Sequence, residues 1–403
     1  MSDILSLPPE LLSRILDYVY DSDLPSVCLS CKTLRDVVYN HSIWQRKCKQ
    51  EYNFKSIEGW NVNYCILYNK VLRRYGDLVG FWRRDFQYYG GLLQIKFDKG
   101  CIKGLEVLPP AGSSVDRPLR MTEIFTISMT SSETVQIVSV HNFPKEEDGE
   151  EKDVQRPCLL HVEENERNKR ILEYKVTDKK YILQKEDLNN HPVLKRWLDE
   201  DFLERGVDYL SSRHEYRWSP LELSSNSVSN VPIQPGLFKG ACCLSGIEIL
   251  SLYYTEDLRM LMVTNITGVL HAPARKFIIH GILGRPRVLT VEQQESEDIL
   301  SAAHRHNENE HPDRPAAQQP FRIPKDCFHQ DIPDIPKFCT FRCTAVACFP
   351  SFNKFTNTFD SHECVAHFVV FDERKFGLCL RSSDLFILYI RVDDNELKDL
   401  SFD

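Results

Sequence analysis

Cysteine and histidine are the residue types in this sequence that support metal binding, redox chemistry or nucleophilic catalysis when they are suitably spaced. The chain has 14 Cys and 13 His, and Cys28 and Cys31 stand at the Cys-x-x-Cys spacing of redox motifs. No βαβ pattern surrounds this pair. We therefore interpret both residues as buried helical thiols rather than as a redox site.

A denser group of the same residue types lies nearer the end of the chain. It consists of Cys339, Cys343, Cys348, His362, Cys364 and His367. Side chains alternate along a strand with a period of two, so Cys339 and Cys343 share one face. This spacing favours core thiols over a metal site. His304-x-His306 stands in a polar stretch, where we expect solvated histidines.

Motifs that would indicate catalysis are missing from the sequence. There is no GxGxxG after a strand-like run, no GxxxxGK[ST], no GxSxG and no HExxH. Acidic pairs such as Asp372-Glu373 are plentiful, but no spacing singles out a general acid and a general base. We therefore predict a protein without chemistry of its own. A hydrolase or redox enzyme stays a formal alternative, for which the sequence nominates no residue.

Length and composition favour a globular protein of two or three domains. The chain has 403 residues, of which 42% are hydrophobic and 27% charged. The sequence contains no run of 18 apolar residues, so we predict no membrane-spanning helix. Its first residues contain no basic segment ahead of an apolar one, so we predict no secretory signal. The net charge of -8 gives no overall basic field for nucleic acid. We expect reduced cysteines and a cytoplasmic location, a nuclear one, or both.

The first 50 residues predict three short helices that carry more apolar surface than they can bury among themselves. Leu11, Leu12, Ile15 and Leu16 recur at helical spacing after Pro8-Pro9, which can open a helix. A small unit of this kind usually completes its core on a partner. Residues 51–88 predict a helical linker, because apolar residues between 64 and 75 keep the same spacing.

Residues 89–395 predict a β-rich domain. About twelve short β-prone runs alternate with turn-forming segments and lack alternating helices, which is typical of an antiparallel barrel or sandwich. One helix is predicted near 186–206, and the polar stretch near 291–319 predicts a mobile insertion. The predicted fold class is therefore α+β, with N-terminal helices followed by a mostly antiparallel, barrel-like domain.

The N-terminal spacing resembles the F-box. The matching positions are Leu7-Pro8, Glu10-Leu11-Leu12, Ile15-Leu16, Tyr18-Val19, Asp23-Leu24, Val27, Cys31-Lys32, Leu34-Arg35 and Ile43-Trp44. The resemblance implies an apolar surface that docks on Skp1, the adaptor of a cullin-RING ubiquitin ligase. The residues expected to contact Skp1 are Leu7, Pro8, Leu11, Leu12, Ile15, Leu16, Leu24, Val27, Leu34, Val37 and Trp44. A self-contained helical cap on the barrel accounts less well for this many apolar residues.

The resemblance extends beyond the N-terminal segment to the F-box only protein 31 family. Order and spacing match from residue 4 to about residue 392. The matching segments include Tyr89-Gly90-Gly91-Leu92-Leu93, Leu108-Pro109-Pro110, Pro235-Gly236-Leu237-Phe238-Lys239-Gly240, Gly246-Ile247-Glu248-Ile249 and Ile266-Thr267-Gly268. The resemblance implies a barrel-like receptor behind the F-box that takes the C-terminal end of a target, with cyclins among the targets. The chain would then be the substrate-recognition subunit of a Skp1–cullin-1–F-box (SCF) ubiquitin ligase, which reaches cullin-1 and a RING subunit through Skp1.

The same resemblance nominates pocket residues and exposes a departure from the family. The candidate pocket residues are Lys239, Thr267, Gly268, His271 and Arg342. The family's zinc site is represented only by His141, Cys158 and His161, with Ile137 where a Cys would stand. A structural zinc site needs four N or S ligands, so we expect no zinc and no other cofactor. Val269-Leu270 replace the family's Asp-Pro, so a different substrate preference is expected.

A different class of function also fits the predicted fold. A β-barrel that binds a small apolar ligand could recruit Skp1 outside any ligase. Lipid that co-purifies with the chain would favour this alternative, whereas recovery of cullin-1 with the chain would count against it.

Overall fold

A computed structural model of the chain describes most of the residues that the sequence predicts to be ordered. These are residues 4–39, 41–84, 90–109, 115–141, 154–164, 170–176, 215–221, 223, 227–241, 247–267, 278–283, 289, 294, 318–323, 327, 335–353, 358–380, 384–393 and 396–397. The helix predicted near 186–206 and nearly all of the insertion predicted near 291–319 lie outside them. Within the described ranges, no helix has the length and apolar character needed to cross a bilayer.

Helices dominate the described chain as far as Leu78. They are α1 (Pro9–Leu16), α2 (Leu24–Ser30), α3 (Lys32–Val38), α4 (His41–Tyr52), α5 (Tyr64–Leu67) and α6 (Arg73–Tyr75), with a π-helical turn at Tyr68–Leu72 and 3₁₀ turns at Ile4–Ser6 and Gly76–Leu78. Pro9 opens α1, where a missing N–H costs no hydrogen bond. The Asn63 side chain accepts a 2.9 Å bond from the Ile66 N–H and caps α5.

Eighteen strands follow in the described residues, and sixteen of them form two closed antiparallel barrels. Barrel 1 consists of β1 (Gly80–Arg84), β2 (Leu92–Asp98), β3 (Cys101–Leu108), β4 (Arg120–Met129), β5 (Val135–His141), β6 (Val154–Glu164), β7 (Arg170–Val176) and β8 (Glu215–Leu221). Consecutive strands pair, and β8 pairs with β1 to close the barrel.

Barrel 2 repeats this up-and-down arrangement. It consists of β9 (Gly236–Ala241), β10 (Ile247–Tyr254), β11 (Met260–Asn265), β12 (Ile278–Ile282), β15 (Phe341–Asn353), β16 (Thr358–Val370), β17 (Lys375–Leu380) and β18 (Leu385–Arg391). Pairing of β18 with β9 closes it. The short strands β13 (Gln319–Pro320) and β14 (Phe338–Cys339) pair only with each other, in the connection between β12 and β15.

The observed fold confirms the predicted α+β class and differs from the prediction in detail. The N-terminal unit has four helices by Tyr52 instead of three. Strand β1 begins at Gly80, so the helical linker ends before residue 88. The β-rich part forms two barrels rather than one, because closure depends on pairing between strands far apart in the sequence, which local alternation does not encode.

The helical linker closes one end of barrel 1. Lys70 Nζ donates a 2.8 Å hydrogen bond to the Glu133 carbonyl in the β4–β5 turn. Gly59, at φ +84°, packs so closely on Gly100 in the β2–β3 turn that a Cβ would come within 2.8 Å of the Gly100 nitrogen. Alternate turns of an up-and-down barrel lie at the same end, so both contacts fix the helices to one rim.

The two barrels pack side by side through an apolar layer. Its members are Leu92, Val107, Leu119, Leu237, Ile249, Ile266, Val392 and Leu397. Gly90 of the first barrel region forms an isolated antiparallel bridge with Thr267 of the second. Inside barrel 2, the Phe376 ring lies 4.9 Å from the rings of Phe238, Phe368 and Tyr389. This interior is therefore filled by stacked and edge-on aromatic rings.

Candidate functional site

Helix α1 has two apolar faces that differ in exposure. Leu12 and Leu16 are 1% and 5% exposed and belong to the core that the helices share with barrel 1. Leu11 and Ile15 are 48% and 41% exposed. Residues four apart lie on the same side of a helix, so each pair defines one face. The outward face is apolar and has no partner within the described part of this chain.

Exposed apolar side chains are concentrated in the N-terminal helical segment that contains α1. Residues 4–39 hold eight of the twelve large apolar side chains that are exposed in the described part of the chain. We call these eight the N-terminal apolar set; they are Ile4, Leu5, Leu11, Ile15, Tyr18, Tyr20, Leu29 and Tyr39. A concentration of this kind marks a protein interaction site rather than the scattered exposure normal on surfaces.

The residues that the sequence nominated for Skp1 contact divide by burial. Pro8, Leu11 and Ile15 are exposed, Leu7, Val27 and Leu34 are half-buried, and Leu12, Leu16, Leu24, Val37 and Trp44 are buried. The buried members hold the helices together and thereby position the exposed ones. The nomination omitted Tyr18 and Tyr20, which are 91% and 79% exposed. Tyr18 stands among the positions that resemble the F-box. An aromatic residue in an otherwise polar turn is the sequence feature that could have identified it as a contact residue.

Buried polar contacts hold the helices in register with one another. Trp44 Nε1 donates a 2.7 Å hydrogen bond to the Val38 carbonyl. The Arg46 guanidinium donates to both Asp17 carboxylate oxygens, at 2.7 Å and 3.0 Å, and to Ser13 Oγ at 2.6 Å. The Trp44 contact ties α4 to α3, and the Arg46 contacts tie α4 to the C-terminal end of α1.

A second network ties α4 to the linker. Lys47 Nζ lies 2.6 Å from Asp21 Oδ1. The Tyr68 hydroxyl lies within hydrogen-bond distance of Asp21 and of Glu51 Oε2, the latter at 2.5 Å, so the two carboxylates share its one proton. Burial and the two carboxylates raise the pKa of Tyr68 far above its ordinary value, so the phenol stays a donor. The helices that carry the N-terminal apolar set are thus bonded to the linker, which contacts barrel 1 through Lys70 and Gly59.

Two of the candidate pocket residues lie between the barrels. Lys239 is 2% exposed, and its Nζ lies 2.6 Å from Glu396 Oε2 and 2.7 Å from the Arg117 carbonyl. Thr267 Oγ1 accepts a 2.7 Å hydrogen bond from the Ile249 N–H, and Ile249 is the strand partner of Lys239. Lys239 and Thr267 thus lie on opposite sides of β10, each next to Ile249, and the polar atoms of both side chains are bonded inside the fold.

Arg342 lies elsewhere, on the outer side of β15. Its Nη2 donates a 3.1 Å hydrogen bond to Gln294 Oε1, and its guanidinium lies 5.5 Å from the centre of the Phe321 ring. Burial lowers the pKa of Arg342 from its ordinary value. The other two candidates, Gly268 and His271, lie outside the described residues. A contact of any of the five with a target stays a prediction.

The weak zinc candidates lie on neighbouring strands of barrel 1. His141 pairs with Val154, while Cys158 and His161 follow on the same strand, β6. Cys158 lies four residues after Val154, which is a distance of about 13 Å along the strand. The backbone thus does not gather the three at one level of the sheet. Among the described residues, no group of three or more His, Cys, Asp or Glu side chains is arranged to hold a metal ion.

Two segments of the chain match known domain families. Residues 4–50, which include α1 to α3 and most of α4, match the F-box-like family. Residues 219–396, which include every strand of barrel 2, match the Cyclin D1 binding domain family.

The chain is also similar to whole proteins that combine such segments. It is 26% identical over 303 residues to F-box only protein 31-B of Xenopus laevis, covering 70% of this chain and 54% of that protein. It is 35% identical over 147 residues to F-box only protein 31 of Homo sapiens, covering 35% of this chain and 27% of that protein. The match therefore spans about half the length of the Xenopus relative and less of the human one. The chain thus combines a segment that matches the F-box-like family with a later segment that matches the Cyclin D1 binding domain family, and over 70% of its length it is similar to F-box only protein 31-B.

Proposed function

We propose that this chain is the substrate-recognition subunit of an SCF ubiquitin ligase. The observation that carries the proposal is the outward face of α1, where Leu11 and Ile15 are exposed within a segment that matches the F-box-like family. Skp1 docks on this face and on the rest of the N-terminal apolar set. Burying a fully exposed apolar side chain contributes about 1.5–3 kcal/mol, so the exposed parts of these eight side chains together suit a stable interface between proteins.

The β-rich part presents the target and performs no bond chemistry. The match of residues 219–396 to the Cyclin D1 binding domain family supports a cyclin, or another protein recognised by its C-terminal segment, as the target. The ligase acts by holding the target close to the ubiquitin-charged enzyme, and this proximity effect requires no catalytic residue here. A cytoplasmic or nuclear residence and the lack of a cofactor remain predictions from the sequence.

Recovery of the whole ligase tests the proposal. The tagged chain is co-expressed with Skp1, cullin-1 and a RING subunit, and captured proteins are identified and quantified. All three are expected with the wild type and none with Ile15→Asp. Ile282→Asp is the matched control, because Ile282 is 49% exposed on barrel 2, close to the 41% of Ile15. A wild-type chain that is captured alone, soluble and monodisperse, would overturn the proposal.

Target presentation has a separate test. The residues 268–271 are replaced by a Gly-Ser linker, and binding of cyclin D1 and of Skp1 is measured for the same preparation. Thr267 is retained because its hydroxyl accepts the Ile249 N–H. Loss of cyclin binding with retained Skp1 binding is expected. Retained cyclin binding would put the pocket elsewhere.

The small-ligand barrel is the less favoured alternative. The interior of barrel 2 is occupied by packed side chains, including Phe376, Phe368 and Tyr389, each 0% exposed. A barrel of eight strands has an interior only just wide enough for side chains or one small ligand. Because side chains fill this one, the observations favour a receptor that uses its outer surface or rims.

A further inference from the structure

A short segment crosses the outer face of barrel 2 between β12 and β15. We call its described residues, 318–323, 327 and 335–340, the strap. Strands β13 and β14 pair within the strap, and the Phe321 N–H donates a 2.8 Å hydrogen bond to the Lys337 carbonyl. The Phe321 ring lies 4.9 Å from the Phe371 ring and 5.5 Å from the Phe386 ring. The strap therefore covers outward-facing side chains of β16 to β18.

Two cysteines meet beneath the strap. Cys327 of the strap and Cys379 of β17 are 6% and 4% exposed, and their Sγ atoms lie 3.8 Å apart. They are separated by 52 positions in the sequence. A disulfide needs the two sulfurs at about 2.05 Å. The sulfurs must therefore approach by less than 2 Å, which side-chain rotation and a small shift of the strap supply.

The pair supplies what a disulfide requires. A disulfide needs only two sulfurs, whereas a closed structural zinc site requires four N or S ligands.

We propose that Cys327 and Cys379 are a site of reversible oxidative modification, which forms a disulfide between strap and barrel when the folded protein meets a hydroperoxide. One thiolate attacks the peroxide O–O bond and becomes a sulfenic acid, releasing water. The second thiol attacks that sulfur, the S–S bond forms and a second water leaves. Two thiols lose two electrons and two protons in total, and one hydrogen peroxide is reduced to two waters.

The bond would fix the strap on barrel 2. Closing a loop of this length removes conformational freedom from the unfolded chain and so stabilises the native state. A thiol reductant reverses the bond by thiol–disulfide exchange. The oxidation state of the pair would thus set how firmly the outer face of β16 to β18 is covered.

Peptide mapping of the peroxide-treated full chain tests the proposal. Reduced protein is treated with hydrogen peroxide, remaining thiols are alkylated, and a non-reducing digest is analysed by mass spectrometry. The expected products are a linked Cys327–Cys379 peptide, a loss of two free thiols from this pair and a melting temperature raised by a few degrees. Dithiothreitol should restore the thiols and the original melting temperature.

Variants and a denatured sample provide the controls. Cys327→Ser and Cys379→Ser should each lose the linked peptide and the rise in melting temperature. Cys101→Ser, which changes a buried cysteine of barrel 1, should keep both. Wild type treated in urea should lose the preference for this pair, because the link depends on folded geometry. Over-oxidation of either thiol without the linked peptide, or linkage of Cys379 to another cysteine in the folded chain, would overturn the proposal.

Discussion

The Tyr389 hydroxyl donates a 2.6 Å hydrogen bond to Glu248 Oε1 in barrel 2. The two side chains are 0% and 1% exposed, and both residues lie beside Gly240 in the strand register. Burial raises the pKa of Glu248 to about 7, although the Tyr389 hydrogen bond partly opposes this rise. A carboxyl group thus occupies the barrel in its neutral form at mildly acidic pH.

The stability of the chain should depend on pH through Glu248. The folded protein binds the Glu248 proton more tightly than the unfolded chain does. The contribution of this proton to the free energy of unfolding is therefore complete below pH 4.5 and is lost as pH rises through about 7. The loss amounts to about 1.4 kcal/mol per pH unit, or about 3 kcal/mol in total. Urea unfolding at several pH values should show this loss in wild type and not in Glu248→Gln. The same dependence of unfolding free energy on pH in wild type and in Glu248→Gln would contradict the raised pKa of Glu248.

Truncation of Leu12 should destabilise the chain, whereas truncation of its neighbour Leu11 should leave the stability almost unchanged. Leu12→Ala should lower the free energy of unfolding by about 2–5 kcal/mol, because it leaves a cavity in the core. Leu11→Ala should change it by less than about 0.5 kcal/mol, because Leu11 is nearly half exposed. Denaturant titration of both variants measures the difference. Equal losses would show that α1 is rotated relative to the face described here.

Lys47 should matter far more for stability than its neighbour Lys49. Lys47 is buried against Asp21, whereas Lys49 is exposed on the same helix. Lys47→Met should lower the free energy of unfolding by about 3–5 kcal/mol, because it leaves a partly buried carboxylate without its cation. Lys49→Met, measured in the same denaturant series, should lie within about 0.5 kcal/mol of wild type. A negligible effect of Lys47→Met would contradict the network.

Lys239 and Glu396 should behave as one energetic unit. A double-mutant cycle with Lys239→Met and Glu396→Gln should give a coupling free energy within about 0.5–3 kcal/mol, because the two charges are in contact and Lys239 is buried. Skp1 binding should be unchanged in all three variants. Additive single effects would indicate that Lys239 does not depend on Glu396, and would leave its charge available to a target.

The sequence carried enough information to predict the helices, the β-rich part and the F-box-like pattern, because these depend on local spacing. It did not reveal that Leu11 and Leu12 face opposite environments, since both are leucines at hallmark positions. Exposure of Leu11 depends on which side of α1 meets α3 and α4. The division into two barrels depends on the pairing of β8 with β1 and of β18 with β9, over long sequence separations.

The polar contacts of the site also could not be predicted from local sequence patterns, because they join residues that are far apart in the sequence. Lys239 was nominated for a pocket, yet its Nζ contacts Glu396, which lies 157 positions away. Cys327 and Cys379 likewise meet only because the strap folds back over β17. Cys339 and Cys343 are both fully buried, as expected for core thiols. They do not share one face of a strand as predicted, because Cys339 belongs to β14 and the cluster beneath the strap, whereas Cys343 belongs to β15 and the interior of barrel 2.

The affinity of the purified chain for Skp1 tests the central claim most directly. Titration calorimetry should give a one-to-one complex for wild type and for Ile282→Asp, with dissociation constants within about threefold of each other. Ile15→Asp should weaken binding at least about tenfold, because it removes apolar contact area and would bury a carboxylate in the interface. Equal affinities for Ile15→Asp and Ile282→Asp, or no binding by a folded wild type, would contradict the account.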